Sequence, residues 1–101
     1  MDRKVLEDML SRGQDNAILR YTLGTLCLKE GMVESALEHL EQALRQNGNH
    51  SASWKAYGKA LVAAKRDDAA RQAYEQGIAV AESLGDIQAA KEMKIFLRRL
   101  T

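Results

Sequence analysis

Residues 51–84 read SASWKAYGKALVAAKRDDAARQAYEQGIAVAESL, and residues 17–50 read AILRYTLGTLCLKEGMVESALEHLEQALRQNGNH. Set one above the other without a gap, they match at a step of 34 residues: Gly24 falls on Gly58, Leu23 on Tyr57, Ala36 on Ala70, Leu40 on Tyr74 and Leu44 on Ile78. One further step back brings Leu6 under Leu40 and Leu10 under Leu44, so residues 3–12 match the second half of an earlier unit. Gly58 shapes the reading of the repeat. It stands among good helix formers in WKAYGKAL (54–61), where a glycine costs about 1 kcal/mol relative to alanine. A glycine at that position in both units predicts a close crossing by a second helix, because backbones approach only where side chains are small.

The apolar spacing predicts six helices, at 3–12, 16–29, 33–46, 51–64, 67–82 and 86–99. Turns are expected at Gly13, Gly31, Asn47-Gly48, Arg66-Asp67 and Gly85-Asp86. The stretch 33–46 shows the period most plainly. Val33, Ala36, Leu37, Leu40, Ala43 and Leu44 form one stripe, with Glu34, Glu38, Glu41 and Arg45 opposite. Asp15 and Asn49 keep the 34-residue step and are in place to N-cap the helices that follow. The last stretch breaks the step. Its stripe of Ala90, Met93, Leu97 and Leu100 fits better with two residues inserted, which leaves open whether it docks as a repeat helix or as a cap. With no proline and few β-branched residues, the composition agrees with an all-α fold.

A chain of 101 residues is expected to form one domain. A net charge of +1 supplies no global field for nucleic acid or an anionic membrane. Cys27 is the one cysteine, so an internal disulfide is excluded and a cytoplasmic setting is expected. The opening MDRKVLEDML carries charges where a signal peptide would be apolar, and no run of about 20 apolar residues follows. Cys27 lies on an apolar stripe and reads as a small hydrophobe. His39 and His50 share no metal-ligand spacing. Glu7-Asp8 and Asp67-Asp68 lie near helix starts or on polar faces, where the helix dipole accounts for them. There is no phosphate loop, nucleophile elbow or His–carboxylate arrangement. The expectation is therefore a protein that is not an enzyme, with no cofactor and no metal. The basic end KEMKIFLRRL, with Lys91, Lys94, Arg98 and Arg99, reads as the polar outside of a terminal helix rather than a nucleic-acid surface.

The residues Trp54-x2-Tyr57-Gly58-x2-Leu61 with Ala70-x3-Tyr74, and Arg20-x2-Leu23-Gly24-x2-Cys27 with Ala36-x3-Leu40-x2-Ala43, carry a resemblance to a known family. Over nearly its whole length the chain resembles a tetratricopeptide-repeat protein, whose unit is a 34-residue helix–turn–helix. It departs from that pattern in lacking the closing proline, with Gly48 and Glu82 in its place, and in having Gly77 where a second small alanine is usual. The resemblance implies a single domain over 1–101: a half-repeat helix at 3–12, repeats at 17–50 and 51–84, and a capping helix at 86–99. The helix pairs would be antiparallel and stack as a short right-handed solenoid. Gly24 would meet Ala36 and Gly58 would meet Ala70, with Trp54, Tyr57, Leu61 and Tyr74 filling the space around the second crossing.

The resemblance also implies a concave, partner-binding groove lined by the first helix of each pair: Ile18, Tyr21, Thr25, Leu28 and Lys29, then Ala52, Lys55, Lys59 and Val62. Lys55 and Lys59, one turn apart, could with Lys29 receive a carboxylate or an acidic segment. Tyr21 is equally placed to be a core aromatic, and the lysines to be plain solvated side chains. Tyr21 and Thr25 stand where the family's clamp for a C-terminal carboxylate has a lysine and an asparagine, so that specialisation is not expected. The function implied is a non-catalytic protein–protein interaction module binding a peptide or helix of a partner protein, with neither nucleic acid nor membrane as partner. The alternative is a self-assembling structural protein whose apolar ends, at Val5, Met9 or Phe96, pair with another copy. Monomer and weak homodimer both stay open.

Overall fold

The computed structural model describes residues 2–100, so Met1 and Thr101, the ends of the expected domain, lie outside the described residues. Six α-helices run through them: α1 (Arg3–Ser11), α2 (Ala17–Lys29), α3 (Val33–Gln46), α4 (Ser51–Ala63), α5 (Asp67–Leu84) and α6 (Ile87–Arg98). The expected helices are all present, with ends moved by one or two residues. The fold is an all-α helical repeat. Each helix packs against the next in the chain, and α6 touches α5 and α4 just as α4 touches α3 and α2. The last helix thus docks in the manner of the first helix of a pair.

Four helices stop in one way. After α2, the Met32 amide donates to the Cys27 carbonyl at 2.8 Å and the Gly31 amide to that of Leu28 at 3.1 Å. The same paired bonds, six-to-one and five-to-two, close α1 at Gly13, α4 at Lys65 and α5 at Gly85. All four residues lie in the left-handed region, and Lys65, at φ 61°, is the one that is not glycine. Lys65 stands 34 residues after Gly31, so the turn recurs where the glycine does not. The sequence reading placed this turn one residue late, at Arg66-Asp67. A Cβ in that conformation costs about 1–2 kcal/mol, partly offset by the greater unfolded freedom of glycine. Lys65→Gly is therefore expected to stabilise the protein by up to about 1 kcal/mol, read as a rise in melting temperature of a few degrees. An unchanged or lower midpoint would contradict the account.

Two expected N-caps are corrected. Asn16, not Asp15, caps α2, its side chain accepting from the Leu19 amide at 2.9 Å. His50, not Asn49, holds the cap position of α4, with no side-chain bond to the helix amides. One position nearer the helix, Asn16 has the reach to N3 that Asp15 lacks. The Asp15 carboxylate turns instead to Arg20, with both oxygens at 2.9 Å from guanidinium nitrogens, and accepts from Gln46 Nε2 at 2.9 Å. Hydrogen bonding to Arg20, then to Gln46, lowers the Asp15 pKa to about 2 from 3.8. A lowered carboxylate pKa contributes stability that is complete above the unfolded value and lost as the folded group protonates. That window runs from pH 3.8 down to about 2. Melting temperature plotted against pH should fall less steeply through this window in Asp15→Asn than in the parent. Parallel curves would exclude the linkage.

The core repeats with the sequence. Ala36 and Ala70 are both fully buried, as are Leu40 and Tyr74, and Cys27 and Leu61. The expected crossings at the glycines are tightest against a larger residue than the alanine. A Cβ built on Gly24 would lie 2.5 Å from Leu40 Cγ, with the Ala36 carbonyl oxygen next at 3.4 Å. One built on Gly58 would lie 2.6 Å from Tyr74 Cδ1 and 2.7 Å from Cζ. Gly24 thus meets the Ala36 backbone as expected, and at both glycines the tightest approach is by the large side chain four residues after the alanine. Trp54 is half-buried against the same core, its indole N–H donating to the Gly48 carbonyl at 2.8 Å.

Candidate partner-binding groove

The curvature follows from which helices meet. Among the described residues α2 touches α4 and α4 touches α6, whereas α3 and α5 do not touch. The first helices of successive pairs therefore lie on the inside of the curve, and the second helices splay on the outside. Polar side chains tie the inner row together. The Ser51 hydroxyl at the start of α4 donates to Asp86 Oδ2 at 2.6 Å, while Asp86 Oδ1 caps α6 by accepting from the Ala89 amide at 3.3 Å. These bonds, Ser51 first, hold the Asp86 carboxyl below its usual pKa. Lys55 Nζ of α4 lies 3.3 Å from Glu92 Oε1 of α6.

The groove residues expected from the sequence fall into separate settings. Ile18 is 61% exposed and joins Leu6, Met9, Asn16, Leu19 and Thr22 around a hollow of about 250 Å³ at the α1 end. Tyr21 is half-buried against the core, its ring edge-on to His50 at 4.9 Å, so it bridges α2 to the start of α4. Thr25 turns its hydroxyl to the Thr22 carbonyl at 2.9 Å. Leu28 packs on the core, Lys29 is exposed at the end of α2, and Ala52 is half-buried. Lys55 is engaged by Glu92. Lys59 and the 38%-exposed Val62 come together with Tyr74, Phe96, Arg99 and Leu100 around a second hollow, of about 200 Å³, between α4, α5 and α6.

The contribution of α6 to this face was missed from sequence. Glu92, Phe96 and Arg99 reach α4 residues, yet the repeat step that places Lys55 and Lys59 does not carry over to α6. The available signal was the single phenylalanine set in the basic run KEMKIFLRRL. Lys59 Nζ lies 5.1 Å and Arg99 Cζ 5.9 Å from the centre of that ring. The Phe96 ring in turn lies 5.8 Å from that of Tyr74.

Elsewhere the titratable groups are structural. Burial raises the Cys27 thiol pKa, so it stays protonated at neutral pH. Burial, reinforced by the Arg20 charge, lowers the His39 pKa. Among the described residues no three His, Cys, Asp or Glu side chains gather as a metal ion would require, and no helix is long and apolar enough to cross a membrane.

The 34-residue step, the buried small positions and the inner row of first helices agree with a family comparison. The family model described as tetratricopeptide repeat matches residues 28–93. The chain belongs to the tetratricopeptide-repeat family. It is 52% identical over 95 residues to a TPR repeat-containing protein of Pseudomonas aeruginosa, spanning 94% of this chain and 90% of that one. Among solved structures it resembles a Bordetella parapertussis protein at 43% identity and a TM-score of 0.86, covering 99% of this chain and 87% of the other. It also resembles a tetratricopeptide repeat domain protein of Salinibacter ruber, with a TM-score of 0.78, 24% identity, and coverage of 85% and 87%. At that identity the second likeness speaks for the fold alone. Tetratricopeptide repeats are generally protein-interaction modules rather than catalysts.

Proposed function

We propose that the tetratricopeptide-repeat chain is a non-catalytic interaction module that holds a peptide or helix of a partner protein on the face lined by α2, α4 and α6. It would do so as one domain over residues 1–101: half-repeat helix 3–12, repeats 17–50 and 51–84, and capping helix 86–99. The observation that supports this most is the inner row itself, whose first helices meet while α3 and α5 stand apart. Ile18 and Val62 are exposed on members of that row, and apolar side chains of this kind supply affinity when a partner covers them. Lys29 and Lys59 add positive charge that orients an acidic segment, and Lys55 joins them where such a segment replaces its Glu92 partner. The inert, buried Cys27 suits a cytoplasmic setting.

The test is capture of partners from cell extract on the full chain, followed by direct binding to Tyr21→Ala/Lys55→Glu. Loss of binding at an unchanged fold is expected. Binding that survives the pair rules out this groove. Self-assembly through apolar ends is less well supported. Val5 is 54% exposed, but Met9 and Phe96 are half-buried, with Phe96 packed on the core. Light scattering at high concentration separates the two, since a monomer excludes assembly.

A further inference from the structure

We infer that the hollow between α4, α5 and α6 is the subsite that takes a glutamate side chain of the partner, its stem lying on Val62, Phe96 and Leu100 and its carboxylate meeting Lys59, Arg99 and the Tyr74 hydroxyl. This rests on the proposed use of the inner face and names the chemistry recognised at one place on it.

Three observations converge there. Lys59 and Arg99 both stand over the Phe96 ring, and neither has a carboxylate partner among the described residues. Lys55, Arg66 and Lys94, by contrast, each hold one. Two like charges over one ring repel each other, and a ring quadrupole offsets only part of that. An incoming anion relieves it. The third observation is Tyr74. Tyr74 lines the hollow with its ring almost fully buried, while its hydroxyl, which has no hydrogen-bond partner among the described residues, keeps access to solvent. Burial raises the Tyr74 pKa to about 12, so the hydroxyl stays protonated and able to donate at neutral pH. The polar groups around the hollow are thus two cations and one O–H, and the rest of its lining is Val62, Phe96 and Leu100. Donors converging on an apolar hollow of about 200 Å³ suit a carboxylate on a short methylene stem. The lining offers no asparagine or glutamine to receive main-chain groups, so a side chain suits it better than a chain end.

The experiment uses dodecapeptides selected by display on the full chain, with affinities measured by fluorescence anisotropy. Selected peptides should carry a glutamate whose change to glutamine weakens binding about tenfold, the scale of a hydrogen bond to a charged group. Tyr74→Phe, which keeps the ring and the fold, should weaken the parent peptide about tenfold, and Lys59→Ala/Arg99→Ala at least as much. The glutamine peptide should lose little more on either variant, because the effects share one contact. Peptides that lack an acidic residue, or bind all these proteins equally, overturn the subsite. If such peptides are still lost on Tyr21→Ala/Lys55→Glu, the wider groove stands without it. If they are indifferent to that pair too, both readings fall. A selection that yields no binder also counts against the subsite.

Discussion

Tyr74→Ala is expected to lower stability by about 3–5 kcal/mol, the range for emptying a large aromatic site in a packed core. The ring is almost fully buried, lies 5.8 Å from Phe96 and fills the space left open by Gly58. The buried residues beside it in α5, Ala70 and Ala73, are too small to refill its volume. Against a typical total of about 5–15 kcal/mol, such a loss leaves a marginal domain. Chemical denaturation at constant slope would measure it. Tyr74→Phe should stay within about 0.5 kcal/mol of the parent, because the hydroxyl it removes has no partner in the fold to lose. A loss below about 1 kcal/mol for the alanine variant would mean that the ring is not a core element.

The paired outcome separates two roles that the sequence could not. From sequence, Tyr74 was one of the large apolar residues expected around the second crossing, matched to Leu40 by the step. Leucine and tyrosine do equal service as volume, and periodicity records only volume. The hydroxyl becomes visible once α6 is in place to close the hollow, and α6 is where the step fails. The same limit explains the groove. Lys59 and Val62 were legible because they sit in the well-repeated α4, while Phe96 and Arg99 were not, since no second copy fixes their register.

The helices were legible for a complementary reason. Their stripes, and the glycines that end α1, α2 and α5, are local signals. Lys65 shows where such signals stop: the end of α4 takes the left-handed turn without the residue that announces it. Capping at Asp15 failed on a matter of one residue, because Asp15 and Asn16 are both good caps and only the backbone chooses between them. The net effect is a fold decided by residues repeated at a fixed step, and a candidate site decided largely by the helix that departs from it.

Gly58→Leu should cost about 2–3 kcal/mol even though leucine is the better helix former by nearly 1 kcal/mol. The Cβ alone would fall 2.6–2.7 Å from Tyr74 ring atoms, distances at which something must move, and leucine adds three more carbons. The ring is buried and backed by Phe96, so leucine either pushes it toward the hollow or forces the helices apart, and both lose packing. The decisive measurement is the double variant. Removing the ring opens the volume that leucine needs, so Gly58→Leu/Tyr74→Ala should be at least about 1 kcal/mol more stable than the sum of the single losses predicts. The equivalent pair one repeat earlier, Gly24→Leu with Leu40→Ala, should behave alike, because Leu40 Cγ stands 2.5 Å from the Gly24 Cβ position. Cross-pairing the repeats, Gly58→Leu with Leu40→Ala, should show strict additivity. Coupling within each repeat and none across would establish that the glycine in WKAYGKAL is there for the side chain at position 74. Additive losses in all three pairs would leave its helix penalty without a structural reason.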